Sequence, residues 1–214
     1  ALAEDSNAIG SKNNTYASES NAIGSGNMTN GVGSSAVGAD NVSNGLDSNA
    51  FGHGNQALAD SANAFGTGNI ISATAVSSSA FGVLNNIEGK ESVAFGFGNS
   101  IAYLADGASA VGHKNTVNGT GGSAIGNNNG ALAMYTTAIG NNNSTVGHNS
   151  SAVGQDNIIN GGADNSMAFG NANIVSAVYG GAVGMNNTVS GENAQAYGCL
   201  LYTSPSPRDR TRSR

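Results

Sequence analysis

One triplet, Ala followed by Ile, Val, Phe or Tyr and then Gly, occurs fourteen times along this chain of 214 residues. Its alanines are Ala8, Ala22, Ala36, Ala50, Ala64, Ala80, Ala94, Ala110, Ala124, Ala138, Ala152, Ala168, Ala182 and Ala196. Ten of the thirteen intervals are 14 residues and the other three are 16. A period this regular predicts a solenoid, in which each repeat is one small unit stacked on its neighbour. It also moves the question from which residues react to what a long repetitive body is for.

Further columns appear when the repeats are aligned on the triplet glycine. Three residues after it stands asparagine in all thirteen complete repeats: Asn13, Asn27, Asn41, Asn55, Asn69, Asn85, Asn99, Asn115, Asn129, Asn143, Asn157, Asn173 and Asn187. Five residues after it every entry is small or β-branched, from Thr15 and Ser43 to Ile87 and Val189. Seven residues after it Gly or Ala fills twelve of thirteen places, with Tyr103 the exception, and the two extra residues of each long repeat are placed beyond this point. Each repeat thus reads as two short strands and two tight turns, because Gly and Asn supply the positive-φ positions that sharp turns need.

Alternation along the first strand puts Ala on one face and its bulky neighbour on the other. The column that never exceeds Ala is expected inside the coil. The neighbour column is expected outside: Ile9, Ile23, Val37, Phe51, Phe65, Phe81, Phe95, Val111, Ile125, Ile139, Val153, Phe169, Val183 and Tyr197. A continuous apolar stripe in water is an aggregation hazard and calls for a partner along its length. A symmetric homo-oligomer supplies one, since every copy carries the same row.

Composition narrows the function classes. Residues 1–198 contain no Arg, Pro or Cys and hold three lysines against twelve carboxylates, a net charge of −9. Such a body has no cationic face with which to displace counterions from phosphates, so nucleic acid is not an expected partner. No apolar run approaches a membrane span. The chain begins with Ala and shows no signal peptide, which reads as a fragment of something longer.

The registered repeats resemble the YadA-like head of trimeric autotransporter adhesins, whose repeat core is Ser-Val-Ala-Ile-Gly followed by a small polar residue, Ala and Gly. Close copies here are Ser92-Val93-Ala94-Phe95-Gly96 and Ser123-Ala124-Ile125-Gly126, and the resemblance covers residues 5–198. It implies an all-β fold, a left-handed parallel β-roll of about fourteen 14-residue coils assembled as a homotrimer with the apolar row inside. It also implies display on a bacterial surface, anchored in the outer membrane by parts outside this sequence, and attachment to extracellular matrix, host cells or other bacteria. The residue before the triplet alanine departs from the family, being mostly Asn or Ser (Asn7, Asn21, Ser35, Asn49) where the family often has Val. A purely structural trimeric rod, such as a phage fibre shaft, is the competing reading.

After Gly198 the composition changes abruptly. Residues 199–214 hold both prolines, the only cysteine and all four arginines, and resemble the adapter-like peptide that ends translated reading frames from assembled environmental DNA. They read as a non-native or disordered tail, with residues 1–198 as the repeat domain.

No constellation for catalysis, cofactor or metal binding is expected. His53 and His113 share one column but lie four coils apart, roughly 19 Å by strand stacking, too far to share one ion. His148 stands elsewhere in the repeat, and the carboxylates fill no repeated column that would suit calcium. Gly-x-Gly at Gly24, Gly52, Gly66 and Gly96 serves the coil turn and opens no helix. The asparagine column reads as a stacked turn ladder, with anion binding through its amides as the functional alternative.

Overall fold

The computed structural model describes residues 3–204, in which every regular element is a β-strand and none is a helix. It comprises about fourteen parallel coils of a β-solenoid, in two compact units divided between Lys114 and Asn115. Each coil contributes one five-residue strand carrying the triplet and one two-residue strand.

In the first unit the long strands run from Asn7–Ser11 to Ser109–His113, each paired in parallel with the next in register. The short strands run from Asn14–Thr15 to Ser100–Ile101 and pair the same way. The second unit repeats this with long strands from Ser123–Asn127 to Gln195–Cys199 and short ones from Thr116–Val117 to Tyr202–Thr203. Register is set by the triplet itself: Ala22 faces Ala36, Gly24 faces Gly38, and so on. A slip of one residue would exchange the inner and outer side chains, so the repeat tolerates none.

The triplet alanine is interior, as its size implies: Ala22, Ala80 and Ala152 are fully buried. The glycine after it is required twice over. Gly24 has φ 118°, and a Cβ there would overlap the carbonyl oxygen of Gly38 in the next coil. The remaining interior varies from coil to coil, with Ile71, Ile87, Ile101 and Ile159 its largest buried side chains. At some coils hydroxyls meet, as Thr29 Oγ1 donates to Ser20 Oγ at 3.0 Å and Ser43 and Ser48 share a 2.7 Å bond. In two coils an aliphatic side chain faces a glycine that yields the space. A Cβ on Gly122 would come within 2.7 Å of Val117 Cγ1, and one on Gly180 within 2.6 Å of Val175 Cγ1.

Two turn positions per coil have positive φ, and many are not glycine. Two residues after the triplet glycine stand Leu84 (φ 56°), Lys114 (φ 54°) and Ala172 (φ 53°); three residues before the triplet alanine stand Ser61 (φ 55°), Tyr135 (φ 56°) and Tyr179 (φ 56°). The stacked turns hold these residues in the left-handed region. Gly26 N–H, for example, donates to Ser11 O and Tyr135 N–H to Thr120 O, each in the preceding coil.

The placement of the two-residue insertions is corrected. They come before the small-residue position, in turns closed by Ala75 N to Ser72 O, Ala105 N to Ala102 O and Ala163 N to Asn160 O. Ala75, Ala105 and Ala163 are the buried small residues of the long coils, and a Cβ on Gly89 or Gly147 would overlap the carbonyl of Ala105 or Ala163. Counted back five residues from the triplet alanine the column is all Gly or Ala, and Tyr103 becomes an exposed turn residue.

Coil geometry runs past residue 198. The last long strand ends at Cys199, Leu200 takes the positive-φ place at 58°, and Tyr202–Thr203 pairs with Thr188–Val189. Residues 205–214, with both prolines and all the arginines, lie outside the described residues.

Candidate assembly surface

Three columns of each long strand face away from the interior: the residue before the triplet alanine, the one after it, and the one after the triplet glycine. The middle column is the apolar row. Ile9 (59% exposed), Phe95 (57%) and Tyr197 (66%) are the most open, and Phe51, Phe65, Phe81, Val37, Val111, Ile139, Val153 and Val183 are half-buried by one another. Ile23, Ile125 and Phe169 are exposed. Parallel register turns the aromatic members into a stack. The rings of Phe51 and Phe65 lie 5.0 Å apart and 8° from parallel, Phe65 and Phe81 5.2 Å and 8°, and Phe81 and Phe95 6.2 Å and 38°.

On either side the flanking columns are polar in most coils. Asn7 donates its amide to Asn21 at 2.9 Å and Asn49 to Asn63 at 2.9 Å, one coil to the next. Around Phe81 and Phe95 the flanks turn apolar: Val83, Val93 and Phe97 widen the stripe, and Phe97 stacks on His113 at 5.3 Å. These flanking residues were not singled out from the sequence. The signal was present in the columns either side of the row, which are polar elsewhere.

In each unit the column asparagines form a ladder at the turn. Asn143 is typical: its amide nitrogen lies 3.0 Å from Asn129 Oδ1, 3.0 Å from Ile139 O and 2.8 Å from Gly154 O. Its own Oδ1 accepts from Asn157 N–H at 3.1 Å and Asn157 Nδ2 at 2.9 Å. Because a backbone N–H must find an oxygen there, the amide orientation is fixed by chemistry. Asn55 and Asn173 repeat the pattern, and the buried rungs have no amide left over for an anion. At the last rung Leu201 N–H donates to Asn187 Oδ1 at 3.0 Å.

A second ladder was not anticipated. Two residues before the triplet alanine, Ser92 N donates to Ser78 Oγ at 3.0 Å and Ala108 N to Ser92 Oγ at 3.1 Å. In the other unit Ser166 N donates to Ser150 Oγ at 2.9 Å and Gly180 N to Ser166 Oγ at 3.0 Å. A recurring Ser at this column was its sequence signature.

The ionisable groups assemble nothing. His53 Nε2 lies 3.9 Å from Asp40 Oδ2 with both side chains well exposed, and no group of three or more His, Cys, Asp or Glu suited to a metal occurs among the described residues. Among the described residues Asp156 is the one carboxylate with a clear shift: hydrogen bonds from Asn142 first and Gln155 second hold it below the ordinary range, against a small opposing effect of burial. Among the described residues no helix is long and apolar enough to cross a membrane.

No protein-family model matches the chain, and no curated protein sequence matches it.

Proposed function

We propose that this chain is the head segment of a homotrimeric bacterial surface adhesin, a passive binding and spacing module with no chemistry of its own. The observation that carries the reading is the outward apolar row on the long strands of each unit, in register and rimmed by polar columns. Covering such side chains is worth about 1.5–3 kcal/mol each when burial is complete. Even half of that over fourteen residues is of the same size as the ~4–15 kcal/mol cost of association. Three left-handed copies meeting along the row would bury it and leave the asparagine- and serine-rich turns outside.

Those outer turns present much the same groups from coil to coil, which suits an extended partner touched at many weak points. Affinity then comes from repetition and from the three chains together. Matrix fibres such as collagen, or glycan-coated cell surfaces, have the matching form, and the resemblance in the repeat core supports display at the bacterial cell surface. The test is adhesion of the full chain, and of variants shortened by whole coils, to collagen-coated and cell-coated surfaces. Binding should fade gradually with coil number. Retained trimers that bind no matrix or cell surface would leave only a spacer and overturn the adhesin reading.

A further inference from the structure

Five Asn-Gly pairs occur in the chain: Asn30-Gly31, Asn44-Gly45, Asn118-Gly119, Asn129-Gly130 and Asn160-Gly161. This dipeptide is the one in which the backbone nitrogen of the second residue most readily attacks the side-chain amide carbon of the first. The glycine nitrogen loses its proton to solvent and forms a bond to Cγ, and the side-chain nitrogen leaves as ammonia, giving a five-membered imide. Water then opens the ring at either carbonyl, leaving aspartate or isoaspartate. The sum is one water consumed and one ammonia released, with no oxidant or reductant. Closing the ring turns the peptide plane between the two residues, so the fold decides which pairs can react.

Four of the five are restrained. Asn129 is a buried rung whose amide nitrogen sits 3.2 Å from Asn115 Oδ1, 2.9 Å from Ile125 O and 2.7 Å from Gly140 O. The nitrogen that would attack it, that of Gly130, is given to Asn143 O at 2.8 Å. Gly31, Gly45 and Gly119 are buried and wedged against the next coil, where a Cβ would overlap the carbonyls of Gly45, Ala59 and Ala133. Their peptide planes have nowhere to turn.

Asn160-Gly161 differs in the room around its glycines, and its peptide carbonyl is held by one turn bond, from Ala163 N–H at 3.1 Å. It sits in the extra turn of a long coil, Asn160, Gly161 and Gly162 are all exposed, and Gly162 has φ 82°. A Cβ on Gly161 would have Val146 Cγ1 at 3.7 Å as its nearest neighbour, and one on Gly162 would meet nothing within 4 Å. The Asn160 amide is held by a single exposed bond to Ser176 Oγ at 2.8 Å, as that of Asn30 is to Asn44 Oδ1 at 2.8 Å, so the glycine rather than the amide sets this pair apart. We propose that Asn160 is a self-modification site of the folded protein, converting to aspartate or isoaspartate through the imide while the other four Asn-Gly pairs are protected. The extra backbone atom of isoaspartate is accommodated because this turn already carries two residues more than the 14-residue coil needs. Ageing thus adds one negative charge to one turn without unravelling the ladder.

The test is to hold the full folded chain in mildly alkaline buffer and follow each pair by peptide mapping with enzymatic labelling of isoaspartate. In the folded chain Asn160 should convert several-fold faster than Asn30, Asn44 or Asn118, with Asn129 unchanged. In denaturant the five should react at comparable rates, and Gly161→Val should slow only Asn160. Equal rates at Asn160 and Asn44 in the folded chain, or loss of the Asn129 amide there, would overturn the proposal.

Discussion

At the scale of single residues, the ladder asparagine and the left-handed turn positions make opposite demands. Removing a rung, as in Asn143→Ala, strands Asn157 N–H and the carbonyls of Ile139 and Gly154 in a buried turn. At about 1–3 kcal/mol for each unsatisfied group, the loss should exceed that of any surface substitution and show as a large drop in the urea midpoint. Ala172 pays for its left-handed backbone without gaining a contact that a glycine would lose. A non-glycine residue in that region costs roughly 1–2 kcal/mol, partly offset by glycine's greater chain entropy. Ala172→Gly should therefore raise the unfolding midpoint, a net gain of about 0.5–1 kcal/mol. A surface residue gives the pH test. Asp156 is held below the ordinary carboxylate range when folded, so its small contribution is complete above the unfolded value and is lost as pH falls through the folded one. NMR titration should find it low in the native chain and nearer the ordinary value in Asn142→Ala.

At the scale of the coil, the extra turns should be dispensable. Ala105 closes its turn on Ala102 and takes the buried small-residue place, so Tyr103 and Leu104 are the insertion itself. Deleting these two residues restores the 14-residue spacing and should leave the melting temperature within a few degrees, whereas deleting Thr29 and Asn30 from a short coil should collapse the midpoint. The coil is also where sequence and structure can be compared most closely. The triplet was legible because Ala, a bulky residue and Gly each answer to a different constraint: interior space, outer face, and a backbone no Cβ permits. The asparagine column was legible because every rung needs both an acceptor for a backbone N–H and a donor for two carbonyls. The left-handed positions were hidden, since neighbouring coils hold Leu84, Tyr135 or Tyr179 there as well as Gly. Equal counting from the triplet glycine misplaced the small-residue column, because the insertion precedes it. Composition also drew the end of the repeat too early: Leu200 and Leu201 need only a left-handed turn and a backbone N–H to continue one more coil.

At the scale of the whole molecule, everything turns on what covers the apolar row. The coil interior is filled by alanines, small hydroxyl residues and buried Ile and Val, so the outward Ile, Val and Phe residues, which touch one another along the row, are not needed to fill it. On the proposed reading, their persistence along the chain reflects a second copy of the chain covering them. Phe81→Asp with Phe95→Asp would place a pair of carboxylates from every copy into the proposed seam, where unpaired buried charge is strongly destabilising. The variant should dissociate or fail to fold, and Ser-for-Asn changes at exposed turn positions outside the asparagine ladder should not. The most direct measurement is the mass of the assembled species in solution, by sedimentation equilibrium of the full chain, with far-ultraviolet circular dichroism to verify β structure. Three chains per particle, lost in the double Asp variant, is the expected result. A folded, soluble monomer that keeps its β signal with both substitutions would contradict the account.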